Sequence, residues 1–248
     1  MKDLVPTLKT RLSLALKERL LRHYLIPYSR TGLPRGLVRV LKPRVPITLV
    51  DVGASRGAFA GSVDQYSGVR RGLLIEPQPA RAKELKRHFR EGVWDVCQCA
   101  VANSEGTCEF QILNYDYSSS ILPVLPNVGG SGEVIDLGVR EIVTVPVCTL
   151  DSLLASIGWT ERIDVLKCDI QGAELLALQG GTNALRQTHF VWLEVSFIEL
   201  YGGSAIFPDI HRFMYESGFY MGAIEEGFRG RNGELLQADA LFVRRCSA

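Results

Sequence analysis

The sequence of 248 residues has no apolar run of the ~18–20 residues that a membrane-spanning helix needs, so none is expected. Its six cysteines form no Cys-x-x-Cys pair and have no histidine at a spacing suited to zinc, and we interpret them as reduced thiols of a cytoplasmic protein. The four histidines show no metal-binding spacing with acids, so no metal site is predicted from them, and Asp169 with Glu194 stays open as a weak oxygen site for a divalent cation. A Gly-x-Gly-x-x-Gly motif is also missing, which disfavours a nicotinamide-dependent oxidoreductase.

The net charge of +1 conceals a basic segment at the start of the sequence. Residues 1–45 carry eleven Lys and Arg against two acids, which leaves the other 203 residues with a net charge of −8. Leucines at every fourth position from Leu4 to Leu20 predict an amphipathic helix, and prolines and glycines predict a linker over 27–36. We therefore divide the chain into a basic helical arm with its linker, 1–45, and a main domain, 46–248. The helix either packs on the domain or on a second subunit of a homodimer, or contacts a membrane surface through residues 1–30.

From residue 47 onwards, short apolar runs alternate with helical stretches. Strands are predicted at 47–52, 72–75, 95–101, 108–113, 141–147, 163–168, 190–195, 220–224 and 240–244, and helices at 57–66, 79–90, 150–157, 173–179 and 206–217. Such alternation is typical of an α/β domain, in which helices cover both faces of a doubly wound, mostly parallel sheet. Because ligands of such sheets bind beyond the carboxyl ends of the strands, the candidate site residues are sought there.

The first predicted strand ends in a glycine-bearing turn, Val-Asp-Val-Gly-Ala-Ser-Arg-Gly at 50–57, which allows close approach of a ligand to a helix N-terminus. Asp51 lies within an apolar strand, where a carboxylate must be paired or hydrogen-bonded. Glu76 ends the second strand, where an acid binds ribose hydroxyls in nucleotide-binding folds. Because no phosphate cradle accompanies these acids, the set predicts S-adenosylmethionine rather than a dinucleotide. The candidate cofactor-binding residues are Asp51, Gly53, Ala54, Ser55, Gly57, Glu76, Pro77, Ala100, Val101 and Asp169.

Five motifs follow one another along the chain: Val50-Asp51-Val52-Gly53-Ala54-x-x-Gly57, Ile75-Glu76-Pro77, Asn103-Ser104-Glu105-Gly106, Thr149-Leu150-Asp151 and Leu166-Lys167-Cys168-Asp169-Ile170-Gln171-Gly172-Ala173-Glu174. Together they resemble the FkbM family of S-adenosylmethionine-dependent methyltransferases over roughly residues 47–244. The resemblance implies a seven-stranded class I methyltransferase sheet with a Rossmann-like winding and, most often, O-methylation of sugars or natural products. The sequence departs from the family at Gln171, where Glu is common, so a mechanism that needs a carboxylate there loses its support.

Two acids are candidate catalytic residues. Asp169 follows the central predicted strand, and Glu194 lies within the apolar strand 190–195. Because an alcohol is a poor nucleophile, a general base such as either carboxylate assists by accepting its proton. The alternative roles are a helix N-cap for Asp169 and a paired, buried acid for Glu194. A hydroxyl-rich loop after the strand 108–113 supplies candidates for contact with substrate or cofactor, namely Ser118, Ser119 and Ser120.

The sequence thus predicts an S-adenosylmethionine-dependent O-methyltransferase that acts on a hydroxyl of a sugar, glycoconjugate or natural product. The acidic main domain suits a small-molecule or glycosyl acceptor and disfavours nucleic acid, which requires a basic surface beside the site. The alternatives are a non-catalytic cofactor-binding or interaction module of the same fold, and a methyltransferase for a lipid-linked or other acceptor. We expect a cytoplasmic location, peripheral to the membrane if the arm binds lipid.

Overall fold

The structure, a computed structural model, describes residues 32–115, 118–125, 137–230 and 232–245. The predicted amphipathic helix of the arm lies outside these residues. Within the described part of the chain, no helix has the length and apolarity needed to cross a membrane. The strands are β1 Ile47–Val52, β2 Val69–Ile75, β3 Trp94–Cys97, β4 Ala100–Val101, β5 Gly106–Leu113, β6 Val139–Cys148, β7 Ile163–Cys168, β8 Thr188–Ser196, β9 Phe219–Glu226 and β10 Gln237–Arg244. The helices are α1 Arg35–Val40, α2 Ala58–Tyr66, α3 Pro79–His88, α4 Leu150–Ser156, α5 Glu174–Gln179, α6 Thr182–Gln187 and α7 Phe207–Glu216.

Seven strands form one sheet in the order β3-β2-β1-β7-β8-β10-β9. The pairs β2–β3, β1–β2, β1–β7 and β7–β8 are parallel, and β10 runs antiparallel between β8 and β9. The winding direction reverses between β1 and β7, so the carboxyl ends of these two strands border the crevice where ligands of doubly wound sheets bind. The seven-stranded, doubly wound sheet that the resemblance implied is confirmed.

Helices cover both faces of this sheet, as the burial of nearly every residue of β1 and β7 requires. Helices α1, α2 and α3 bury apolar side chains such as Leu37, Val63 and Leu85 on one face. The other face holds α4, α5, α6 and α7, whose buried residues include Leu153 and Met214. The two layers bury the central strands β1 and β7, so a site at these strands lies beyond their ends.

One predicted strand, 95–101, is wrong as a single element. The chain leaves the large sheet after β3 at Cys97, and Ala100–Val101 form β4 in a separate three-stranded sheet of order β4-β6-β5. Strand β4 pairs in parallel with β6, through Ala100 with Val147 and Val101 with Cys148. A short apolar run fits either sheet equally well, so only the long-range pairing distinguishes them.

The region after α5 also differs from the prediction. Gly180-Gly181 ends α5, but a further helix, α6, begins directly at Thr182. The carboxylate of Asp151 accepts hydrogen bonds from the N–H groups of Asn183 and Ala184 at 2.9 and 2.8 Å. This acid lies about thirty residues earlier in the chain, so the N-terminus of α6 is capped by a tertiary contact that the local sequence does not show.

The predicted linker over 27–36 extends too far. Helix α1 begins at Arg35 and packs against the sheet, where Leu37 is fully buried. The N–H of Gly36 donates to Glu225 Oε1 on β9 at 2.6 Å. The described chain from Leu33 onwards therefore belongs to the main body of the protein.

Candidate active site

Two glycines shape the turn between β1 and α2. Gly53 has a φ of +79°, and a Cβ there would lie 2.0 Å from the Asp169 carbonyl oxygen. Gly57 has a φ of +78°, and a Cβ there would lie 2.3 Å from the ring of Phe89. Both positions combine a left-handed backbone with a close approach, for which glycine is suited. Gly53 brings the ends of β1 and β7 together, whereas Gly57 accommodates the packing of α2.

The backbone N–H groups of this turn are used within the protein. Those of Gly53 and Ala54 both donate to the Ile75 carbonyl at 3.0 Å. The N–H of Ser55, whose φ is +48°, donates to Glu76 Oε2 at 2.8 Å. A phosphate-binding loop needs such N–H groups directed at the ligand. The turn therefore does not fit the pyrophosphate of a dinucleotide.

Glu76 presents a fixed carboxylate at the end of β2. Its Oε2 accepts the Ser55 N–H, its Oε1 accepts the Gln78 N–H at 2.9 Å, and the residue is only 5% exposed. Burial raises the pKa of Glu76, and these hydrogen bonds and the charge of Lys167 oppose the rise. Each carboxylate oxygen keeps a second lone pair, so the group fits two ribose hydroxyls.

Asp51 is fully buried in β1 and forms an ion pair with its neighbour on β7. The Nζ of Lys167 lies 3.1 Å from Asp51 Oδ1 and 3.5 Å from Asp169 Oδ2, and it donates to the Gly53 carbonyl at 3.0 Å. Burial raises the pKa of Asp51, and the charge of Lys167 opposes the rise. Burial lowers the pKa of Lys167, but the charges of Asp51 and Asp169 outweigh it, so this pKa is raised. Asp51 thus supports the turn through Lys167.

Glu174, rather than Asp169, holds the loop between β7 and α5. Its carboxylate accepts the N–H groups of Ile170 at 2.8 Å and Gly172 at 3.0 Å, and burial raises its pKa to about 7. No side chain caps α5. The alternative role of Asp169 as the N-cap of this helix is therefore wrong. Its half-exposed carboxylate is not needed to hold this loop.

A cleft, here called the cofactor cleft, lies beyond the ends of β1, β2 and β7. Of the predicted cofactor residues, seven line it: Gly53, Ser55, Glu76, Pro77, Ala100, Val101 and Asp169. Asp51, Ala54 and Gly57 do not line it. The remaining walls are mostly apolar and consist of Val52, Ile75, Gln78, Cys99, Phe110, Ser119, Ile121, Ile170, Gln171 and Ala173.

A second cleft adjoins the first and shares Asp169 and Gln171 with it. The other residues that line this second cleft are Tyr115, Ser118, Val124, Leu137, Glu194, Leu200, Tyr201, Phe228 and Gln237. It therefore combines aromatic side chains with carboxylates and amides. Glu194 Oε2 accepts from Gln171 Nε2 at 2.8 Å and from Gln237 Nε2 at 2.9 Å. Both predicted catalytic acids thus lie in one cleft.

The three loop serines have different positions. Ser118 lines the second cleft, and Ser119 lines the cofactor cleft while its Oγ accepts the Leu113 N–H at 3.2 Å. Ser120 is buried, and its hydroxyl donates to the Gln171 carbonyl at 2.8 Å. Ser120 therefore holds the loop and does not face either cleft. Asp116 and Tyr117 of the same loop lie outside the described residues.

Several site residues were missed by sequence reasoning. Lys167 could have been found, because a lysine in an apolar strand is a natural partner for the buried Asp51. Glu174 stands in a motif that was recognised, but its contact with its own loop was not expected. Tyr201 and Gln237 had no signal, since each is a single polar residue far along the chain from its partners in the second cleft.

Comparison with known proteins identifies the class to which this fold and site belong. Residues 51–221 match the Methyltransferase FkbM domain. The chain belongs to the FkbM methyltransferase family, as the sequence predicted, and its fold is that of class I methyltransferases. Membership in this family also makes S-adenosylmethionine the methyl donor of the chain.

Individual relatives are distant. The chain is 28% identical over 187 residues to the 2-O-methyltransferase NoeI of Sinorhizobium fredii (strain NBRC 101917 / NGR234), covering 71% of this chain and 74% of that protein. The solved structure of the FkbM methyltransferase from Methylobacillus flagellatus KT is 17% identical, with a TM-score of 0.49 over 79% of this chain and 43% of that one. Magnesium protoporphyrin IX methyltransferase from Synechocystis PCC 6803, solved with bound S-adenosylmethionine, is 10% identical, with a TM-score of 0.41 over 81% and 71%.

Metal binding has no geometric support within the described ranges. There, no group of three or more His, Cys, Asp or Glu side chains is arranged to hold an ion. The five described cysteines are free thiols, and Cys246 lies outside the described residues.

Proposed function

We propose that this protein is an S-adenosylmethionine-dependent O-methyltransferase that acts on a hydroxyl of a sugar, glycoconjugate or natural product. The carboxylate of Glu76 carries the proposal. It lies on the wall of the cofactor cleft, it is fixed by two backbone N–H groups, and it retains lone pairs for two hydroxyls. The same turn offers no N–H cradle for phosphate, which separates this site from that of a dinucleotide.

In this proposal the methyl donor binds in the cofactor cleft and the acceptor binds in the second cleft. S-adenosylmethionine supplies a methyl group activated by its sulfonium, so positioning contributes most of the rate. Asp169 borders both clefts, and we assign it as the base that accepts the proton of the acceptor hydroxyl. Glu194 borders only the second cleft, where we expect it to accept a hydrogen bond from a neighbouring hydroxyl of the acceptor. The acceptor oxygen would gain the methyl group as the methyl–sulfur bond breaks and S-adenosylhomocysteine leaves, and Asp169 would take the hydroxyl proton.

The contents of the second cleft support a neutral, hydroxylated acceptor. Tyr115 and Phe228 offer aromatic faces, and Asp169 and Glu194 offer hydrogen-bond acceptors. Two carboxylates repel a phosphate or carboxylate on the acceptor. The printed name of the Sinorhizobium relative, a 2-O-methyltransferase, also supports transfer to oxygen. If the protein were a non-catalytic module, Asp169 and Glu194 would have no role in the second cleft.

Two measurements test the proposal. Calorimetry with S-adenosylhomocysteine and with NAD should show binding of the first and none of the second. Methyl-labelled S-adenosylmethionine should then label a member of a panel of p-nitrophenyl glycosides of neutral hexoses and deoxyhexoses. Binding of S-adenosylhomocysteine without labelling of any glycoside would exclude the glycosyl acceptor, and labelling of a lipid-linked sugar instead would favour the lipid-linked alternative. Tight NAD binding would overturn the cofactor assignment.

A further inference from the structure

Gln171 lies where the two clefts adjoin. Apart from Asp169, it is the one residue of the described chain that lines both of them. Its backbone has a φ of +57°, a left-handed conformation that is strained for a residue other than glycine and persists only when the surroundings enforce it. Two features of the structure enforce this conformation. Ser120 Oγ donates to the Gln171 carbonyl at 2.8 Å, and Gly172 follows with a φ of +97°.

The side-chain amide of Gln171 is fully hydrogen-bonded. Its Nε2 donates to Asp169 Oδ1 at 2.9 Å and to Glu194 Oε2 at 2.8 Å, while its Oε1 accepts the hydroxyl of Tyr201 at 2.7 Å. The opposite orientation of the amide would place its oxygen against two carboxylates and its N–H groups against the Tyr201 hydroxyl. The partners therefore determine the orientation, and one amide connects both candidate catalytic acids.

The charges around Glu194 show why the hydrogen bond from Gln171 matters. Burial raises the pKa of Glu194 well above its ordinary value, and the charges of Asp169, Glu174 and Asp239 raise it further, while Lys167 opposes them. Asp239 on β10 is paired with Glu194 across the sheet. The charged and titratable groups that face Glu194 are therefore Asp169 and Lys167 from β7 and its end, Glu174 from α5, Asp239 from β10, and Tyr201. Against these like charges, the amides of Gln171 and Gln237 stabilise the ionised carboxylate by donating to it.

We propose that Gln171 is a positioning residue of the methyl-transfer reaction, whose amide holds Asp169 and Glu194 as a fixed pair of hydrogen-bond acceptors at the junction of the two clefts. The proposal rests on the function proposed above, in which Asp169 accepts the proton and Glu194 orients the acceptor. An apolar side chain at this position cannot donate, and a carboxylate adds a third negative charge. Either change destabilises the ionised carboxylates of Asp169 and Glu194.

The test compares the full-length protein with its Gln171→Met and Gln171→Glu variants, which preserve the length of the side chain. The primary measurement is the titration of carboxyl groups by ¹³C NMR, with S-adenosylhomocysteine bound, in protein labelled at Asp and Glu carboxyl carbons. The Glu194→Gln variant assigns the Glu194 signal. Gln179→Met is the matched control, because Gln179 is exposed and lines neither cleft.

We expect both Gln171 variants to raise the pKa of Glu194, with the larger rise in Gln171→Glu, and Gln179→Met to leave it unchanged. If a glycoside acceptor is labelled, kcat at pH 7 should also fall by about tenfold in Gln171→Met, the effect of losing one hydrogen bond to a charged group. The acidic limb of its pH profile should move to higher pH, while the affinity for S-adenosylhomocysteine is retained.

An unchanged Glu194 titration in both variants would overturn the proposal. If Gln171→Met does not fold, Gln171→Glu decides the outcome by the same measurement. The titration needs no methyl acceptor, so it remains informative even if every glycoside fails, in which case only the proposed function is contradicted.

Discussion

Glu76 shows how a single carboxylate can select a cofactor. Two backbone N–H groups fix its position, and its remaining lone pairs lie on the wall of the cofactor cleft. The acid was expected from its place after β2, but the two hydrogen bonds that orient it arise from the positive φ of Ser55 and the position of Gln78 before α3, which only the folded chain shows.

Replacing this carboxylate should weaken cofactor binding while the fold is kept. In Glu76→Ala we expect the affinity for S-adenosylhomocysteine to fall by at least tenfold, because a hydrogen bond to a charged group is worth about 1.5–3 kcal/mol. Calorimetry measures the dissociation constant, and Glu91→Ala, at an exposed position away from the cleft, is the control. An unchanged dissociation constant in Glu76→Ala would remove the ribose assignment.

Asp169 and Glu194 should respond differently to loss of charge. Because general-base catalysis contributes about 10²–10⁴-fold, we expect Asp169→Asn to lower kcat by at least about a hundredfold, with little change in cofactor affinity. Glu194→Gln should act mainly on the KM of the glycoside acceptor. Steady-state kinetics with the labelled glycoside distinguish these effects. A near-normal kcat in Asp169→Asn, with a large loss in Glu194→Gln, would transfer the role of base to Glu194.

At the scale of elements, the loop between β7 and α5 depends on an acid that is costly to ionise. Glu174 accepts two backbone N–H groups of its own loop, and its buried carboxyl has a pKa of about 7. Because this pKa is higher than in the unfolded chain, the protonated group favours folding. Its contribution is complete below the unfolded value of about 4.5 and is lost as the pH rises through about 7.

The free energy of unfolding should therefore depend on pH in a way that Glu174 controls. We expect urea denaturation of the wild-type protein to show a decline between about pH 5 and 7, and the decline should be less steep in Glu174→Gln. Glu105→Gln, which is exposed, should retain the wild-type slope. Asp239, whose pKa is also raised to about 7 by burial, contributes in the same window, so the comparison concerns the difference in slope. Equal slopes in Glu174→Gln and wild type would contradict this assignment.

At the scale of the whole molecule, the basic arm and the acidic remainder have opposite charges. The sequence predicts a leucine stripe over residues 4–20, and we expect the body, a second subunit or a membrane surface to cover it. We favour packing on protein, because the acidic remainder offers a surface of opposite charge. Helix α1, which follows residues 4–20 along the chain, packs on the sheet.

Deletion of residues 1–30 should expose apolar surface on the remaining protein. We expect lower solubility or a changed oligomeric state, measured by light scattering after gel filtration, with unchanged affinity for S-adenosylhomocysteine. Flotation with phosphatidylserine liposomes is the counter-test, and phosphatidylcholine liposomes are its control. If only the full-length protein floats with anionic lipid, the arm is a membrane contact and a lipid-linked acceptor gains support.

The amino-acid sequence by itself predicted the α/β class, most of the strands and helices, and about half of the residues that line the cofactor cleft, and its motifs implied the family and the seven-stranded sheet. These properties are carried by local patterns: apolar runs, glycines where the backbone turns, and acids directly after strands. Strand β7 was predicted with the bounds that it has, because a short run in which five of six residues are buried leaves little alternative.

Only the tertiary structure decided which polar groups meet. Gln171 contacts Glu194 and Tyr201, which lie 23 and 30 residues away along the chain, and Glu194 contacts Gln237 at a separation of 43. Asp51 does not line the cofactor cleft. It pairs instead with Lys167 on the neighbouring strand, which supplies the charge that its burial requires. Pairings of this kind depend on strand order and register, and a linear pattern contains neither.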